Sequence, residues 1–215
     1  MNLKTVYQTL YQAYGRQHWW PADSAFEVMV GAVLTQNTSW GNVEKAIVNL
    51  KTAHSLDAQT IANASHEQLA VWLKPSGYFN IKARRLRNFC GWYLDQGSME
   101  GLIRLDTEAL RVRLLSVNGI GPETADDILL YAFERPVFVI DAYTRRLHSR
   151  LGYICGDEGY ETLRSLFEST LQGRKKVQLF NEFHALIVRH AKDVCRPRPR
   201  CRECCLAVRC PSTLA

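Results

Sequence analysis

A chain of 215 residues with 47% hydrophobic and only 22% charged side chains can bury a substantial core, which excludes a disordered or low-complexity protein. Its 27 Lys and Arg against 21 Asp and Glu leave a formal charge of +6, a balance that suits a polyanionic partner without requiring one. The opening MNLKTVYQTLYQAYGRQHWW scatters polar residues among its apolar ones, so neither a signal-peptide core nor a membrane span is expected there, and the expected location is the cytoplasm.

Apolar residues recur at helical period along nearly the whole chain, with almost no strand alternation and no internal repeat, so the expected fold class is all-α. A first helix is predicted over 3–15. The clearest pattern runs from Ser24 to Gln36, where Phe26, Met29, Val30, Val33 and Leu34 fall on one stripe and Ser24 or Asp23 supplies an N-cap. Further helices are predicted over 39–53, 66–73, 79–96, 107–117, 122–134, 142–151, 158–171 and 176–193. The run Val137–Ile140 is too short and too isolated for a strand and reads as a buried connector. From Cys195 the composition changes to CRPRPRCRECCLAVRC, which reads as a small lobe stapled by a ligand.

The stretch VNGIGPETADDILLYAF raises a question of close approach. Leu110, Leu114 and Leu115 precede it in one helical stripe; Ala125, Ile128, Leu129, Ala132 and Phe133 continue it in another, and Asn118-Gly119-Ile120-Gly121 joins the two. Glycine permits positive φ and close contact with backbone, Pro122 suits the first helical position, and the amides at a helix start can hold an anion such as a DNA phosphate. The same residues also fit a plain helix–helix turn with a glycine C-cap. Asp141, in VFVIDAYTRRLHSRLG, reads as a helix N-cap. A carboxylate in that position stays ionised and can stabilise a sugar cation or orient a water towards one.

Five of the seven cysteines fall between Cys195 and Cys210, while Cys90 and Cys155 lie apart. Cys195, Cys201, Cys204 and Cys210 give C-x5-C-x2-C-x5-C, and Cys205 competes with Cys204 for third place. In a reducing compartment this density points to zinc or an iron–sulfur cluster rather than disulfides. Arg196, Arg198, Arg200 and Arg202 make the loop basic, either for contact with a nucleic-acid backbone or as ordinary solvated charge.

Taken in order, FEVMVGAVLTQNTSW, SGYFNIKARRL, VNGIGPETA, VIDAYTRRL, FHALIVRHAKDVC and the terminal cysteines resemble the helix-hairpin-helix DNA glycosylases related to endonuclease III, over nearly the whole chain. The resemblance implies two all-α lobes with a DNA-binding cleft between them. One is a six-helix barrel over 21–135 that contains the hairpin at about 107–134; the other joins 1–20 to 136–215 and carries a [4Fe–4S] loop at 195–210. It further implies a monomeric, nucleoid-associated repair enzyme on double-stranded DNA containing damaged bases. Amides of Gly119, Ile120 and Gly121 would grip phosphate, Gln36 would fill the gap left by a flipped base, Tyr78 would wedge into the opposite strand, and Asp141 would be catalytic. Lys82, Arg84, Arg85 and Arg87 form a basic run that could touch phosphate. Cys195, Cys201, Cys204 and Cys210 would hold the cluster, in a structural role, although the first gap is one residue shorter than the family's usual six.

HWWPADSAFE, LTQNT and KPSGYFN resemble the branch containing the type III 3-methyladenine glycosylases, in which Trp19, Trp20 and Pro21 would line the base pocket. An aromatic wall suits a positively charged alkylated purine. Two departures stand out. That branch can lack the cysteines and carries a pocket lysine where this chain has Leu186, while His184 and His190 on the same helix read as structural or phosphate-facing. The bifunctional relatives carry a Schiff-base lysine where this chain has Glu123, so hydrolysis without strand cleavage is expected. A glycosylase for oxidised or deaminated bases with weak lyase activity, and a non-catalytic sensor of DNA damage, are the competing readings.

Overall fold

The structure, a computed structural model, describes residues 2–213, and among them every regular element is helical. Twelve α-helices follow in chain order: Leu3–Tyr14 (α1), Ala25–Leu34 (α2), Trp40–Thr52 (α3), Ala58–Asn63 (α4), His66–Leu73 (α5), Phe79–Asp95 (α6), Ser98–Leu102 (α7), Thr107–Leu115 (α8), Pro122–Asp127 (α9), Ala142–Arg150 (α10), Tyr160–Thr170 (α11) and Lys176–Asp193 (α12). None is long and apolar enough to cross a membrane. The chain divides into two compact units, Pro21–Arg135 and the pair of segments Met1–Trp20 with Pro136–Ala215.

In the Pro21–Arg135 unit, α2 is the central element. Ser24 caps it by accepting from the Glu27 amide at 3.2 Å, and every residue from Glu27 to Leu34 is buried. The one carboxylate in that run, Glu27, meets Lys51 at 2.8 Å, which offsets the cost of burying it. The hairpin helices α8 and α9 are held together by Arg111, whose guanidinium donates to both carboxylate oxygens of Asp126 at 2.7 and 3.2 Å. Arg111 is 6% exposed and Asp126 fully buried, so the pair is desolvated, and its two parallel hydrogen bonds offset that cost.

Two parts of this unit depart from the sequence-based expectation. The helices α4 and α7 span six and five residues, too few for a helical period to declare itself. The helix expected over 122–134 is regular only to Asp127; from Ile128 to Ala132 it widens into a π-helical turn, closed by Phe133 N donating to Ile128 O at 3.2 Å. The wider turn buries four successive side chains, Ile128, Leu129, Leu130 and Tyr131.

In the second unit, α12 packs against both α1 and α10. Val137–Ile140 is a connector without regular secondary structure, fully buried as its composition suggests. Phe138 in it meets the rings of Phe167, Phe180 and Phe183 at 4.8, 5.4 and 5.9 Å. This aromatic core seats the start of α10 immediately beyond.

Candidate functional site

The two hairpin glycines do different work. Gly119 has φ +101°, the left-handed region that glycine favours, and a Cβ there would stand 2.4 Å from Cγ of Arg85. Gly121 is extended at φ −96°, a conformation open to any residue, and a Cβ there would meet nothing within 4 Å. Positive φ is therefore needed at one glycine, not both. Ile120 between them is buried, and its amide donates to the Val117 carbonyl at 3.0 Å. This corrects the expectation for that amide: it is committed inside the turn rather than held out to an anion.

Gln36 lies two residues beyond α2 and against the hairpin. Its Nε2 donates to Gly119 O at 2.9 Å and to Thr124 Oγ1 at 3.0 Å, while its Oε1 accepts from Arg85. Tyr78 precedes α6 in the left-handed conformation with its side chain 67% exposed, which suits a protruding wedge and not a core aromatic. The basic run that follows is mostly not a phosphate-facing stripe. Lys82 is 1% exposed and donates to Leu34 O at 2.8 Å and Ser76 O at 2.6 Å. Burial, with help from the Arg85 charge, lowers its pKa to about 8. Arg87 donates to Ala64 O at 2.7 Å, and Arg84 alone of the four is exposed.

In the second unit Asp141 caps α10. Its Oδ1 accepts from the Thr144 amide at 2.6 Å, and its Oδ2 lies 3.4 Å from Nε2 of His184 on α12. Burial, the strongest single influence, pushes this carboxyl up, but His184 by hydrogen bond and charge, together with Thr144, outweighs it and holds the carboxyl below its ordinary range. His148, two turns along α10 from Asp141, is fully buried with Nδ1 2.9 Å from Thr144 O, and burial lowers its pKa to about 4. His184 is the residue that sequence reasoning left without a role. Nothing in a spacing of 43 positions signals that the two side chains meet. Trp19 and Trp20 are half-buried with ring centroids 5.4 Å apart, and Pro21, which opens the other unit, is exposed. Glu123 is exposed in the first turn of α9.

Cys195, Cys201, Cys204 and Cys210 line one cavity with Leu147, His190 and Leu206. Cys205 is exposed and does not line this cavity, so Cys204 is the third thiol that does. Among the described residues, the one trio of His, Cys or carboxylate ligand atoms mutually within 4.8 Å is Cys155, Asp157 and Glu158, not any three of these thiols. A single zinc ion at about 2.3 Å from each sulfur needs a tighter set than this. The spread and the all-sulfur donor set fit a cluster. Two arginines on α10 secure the loop: Arg146 donates to Cys195 O at 2.9 Å, and Arg150 to Arg196 O and Pro197 O at 2.6 and 2.9 Å. Arg196, Arg198, Arg200 and Arg202 of the loop are exposed.

Residues 30–172 match the family model described as HhH-GPD superfamily base excision DNA repair protein. A Methanocaldococcus jannaschii protein assigned by name as a DNA repair glycosylase is 45% identical over 202 residues, 93% of this chain and 91% of its own. The structure is similar to that of the 3-methyladenine DNA glycosylase MagIII of H. pylori bound to 1,N6-ethenoadenine, with a TM-score of 0.77, 32% identity, and coverage of 89% of this chain and 98% of that one. It also shares its fold with endonuclease III in a non-covalent DNA complex, with a TM-score of 0.84 at 18% identity over 99% of this chain and 95% of that one.

Proposed function

Because the chain belongs to the HhH-GPD superfamily of base excision DNA repair proteins and is a DNA N-glycosylase, we propose that it removes alkylated purines such as 3-methyladenine by hydrolysis alone, with Asp141 as the catalytic residue. The observation that carries this reading is the state of Asp141: a buried carboxylate, held ionised, at the start of a helix. The bond from sugar to an alkylated, positively charged base breaks with oxocarbenium character, and a fixed anion stabilises that charge and orients the attacking water. The base must first leave the stack. Gln36 fills the gap it leaves, Tyr78 wedges into the facing strand, Trp19, Trp20 and Pro21 line the base pocket, and the amides of Gly119 and Gly121 hold phosphate. The duplex is bound by a monomer at the chromosome, with Pro21–Arg135 as the six-helix barrel. The similarity to an enzyme bound to 1,N6-ethenoadenine supports an altered adenine as the substrate class.

Strand cleavage through a Schiff base needs an accessible amine. Glu123 stands in the hairpin helix where a lyase would carry lysine. Lys82, an amine whose pKa burial lowers to about 8, is itself buried with donors spent on two carbonyls. A [4Fe–4S] cluster on Cys195, Cys201, Cys204 and Cys210 would serve as a covalent staple for a loop that has almost no apolar core of its own.

Incubation with methylated duplex DNA tests the proposal. Released bases are identified by chromatography, and the DNA is run on gels with and without alkali. Free 3-methyladenine, with breaks only after alkali, is expected; breaks without alkali would refute the hydrolytic mechanism, and no release of a methylated base would refute the substrate class.

A further inference from the structure

One face of α6 engages three segments of the Pro21–Arg135 unit. Lys82 takes the carbonyls of Leu34 and Ser76, each two residues before a residue proposed to enter the duplex, Gln36 and Tyr78. Arg85, one turn further along, reaches both the Gln36 side chain and the hairpin. Its guanidinium donates to Gln36 Oε1, and its stem fills the space at Gly119, where a Cβ would lie 2.4 Å from Cγ and 2.9 Å from Cδ. Gln36 is thereby committed at every polar atom, its oxygen to α6 and its nitrogen to Gly119 O and Thr124 Oγ1. An arginine serving only as a phosphate contact would keep its head in solvent; this one is partly buried and spends a donor on a neutral amide.

We propose that Arg85 is a positioning residue for the gap-filling step: it fixes the side chain of Gln36 against the hairpin turn, so that the group entering the vacated stack and the turn holding the backbone move as one piece. This rests on the reading of Gln36 given above. Because Lys82 still holds the Leu34 backbone and Nε2 of Gln36 keeps Gly119 O and Thr124 Oγ1, loss of Arg85 releases the oxygen end of the Gln36 side chain without unfolding its loop. Ordering a rotamer-rich side chain in advance is worth on the order of a five- to tenfold change in an equilibrium or rate.

The test measures affinity for two duplexes, one undamaged and one carrying a tetrahydrofuran abasic analogue, across a range of salt concentrations, for the wild type and for Q36A, R85M, R85K and R85M/Q36A. The wild type is expected to prefer the abasic duplex. Q36A and R85M should each lose about five- to tenfold of that preference, R85K less, and the double variant no more than Q36A, because the two residues act as a unit. Affinity of R85M for undamaged DNA should stay within about twofold of wild type, with an unchanged salt slope, since a lost phosphate contact would reduce that slope by about one. A reduced slope, or losses that add in the double variant, overturns the proposal. If Q36A keeps the preference, the reading of Gln36 falls and this proposal with it; if Q36A loses it and R85M does not, only the role of Arg85 falls. Thermal melting checks that R85M folds, and Thr124→Val, which removes one partner of Gln36, should shift the preference in the same direction by a smaller factor.

Discussion

The starts of α9 and α10 are built in opposite ways. At α9 the N-cap is Gly121, with no side chain to occupy the amides and open space where a Cβ would stand. At α10 the N-cap is Asp141, which fills that place with its own carboxylate and is buried doing so. A helix start left bare suits an anion from outside, whereas one closed by an internal anion presents negative charge. The first fits holding a phosphate, the second stabilising a sugar cation, and the two tasks should separate under mutation.

The largest effect should come from the loop that α10 secures through Arg146 and Arg150. Cys204→Ala should abolish bound iron and the absorbance near 400 nm and release the loop from α10, while Cys205→Ala should keep both. Iron content and visible spectra of the purified variants check this, and equal losses would show that the exposed thiol is also a ligand. Next comes the pair of glycines. Gly119→Ala must adopt a strained φ against Arg85 and should lower stability by about 1–3 kcal/mol. Gly121→Val should leave the melting temperature nearly unchanged and weaken DNA binding about tenfold, a result that a purely structural turn would not give.

The smallest effect concerns pH. With its pKa lowered, Asp141 is ionised well into the acid range, and its stabilising hydrogen bonds persist above the ordinary carboxylate value and are lost as pH falls through the lowered one. Replacing His184 by glutamine removes the imidazole that opposes the effect of burial, so the pKa of Asp141 rises and the acid limb of base release moves to higher pH. Single-turnover release, followed from below the ordinary carboxylate range up to neutrality, reads the shift as a move of the limb's midpoint to higher pH. An unmoved limb would mean that His184 is packing alone.

These contrasts were unevenly legible in the sequence. The stripe of α2, the hairpin and the cap at Asp141 follow from local periodicity and residue type, because the forces that set them act within a turn or two. The burial of Lys82 does not. A lysine in the run KARRLR reads as a solvated charge, and only packing against the ends of two other segments makes it a buried clasp. Arg85 and His184 escape for the same reason, since each acts on a partner tens of residues away. The choice between the adjacent Cys204 and Cys205 depends on which way successive residues of an irregular loop face, which no period encodes.

Whether the start of α10 serves base release while the start of α9 serves binding is decided by Asp141→Asn, with base release and affinity measured on the same damaged duplex. The variant keeps the size of the cap and removes its charge. Release should fall by about 10²–10⁴-fold with affinity within a few-fold of wild type. Undiminished release would contradict the assignment of Asp141, and a matching loss of affinity would contradict the separation of the two helix starts.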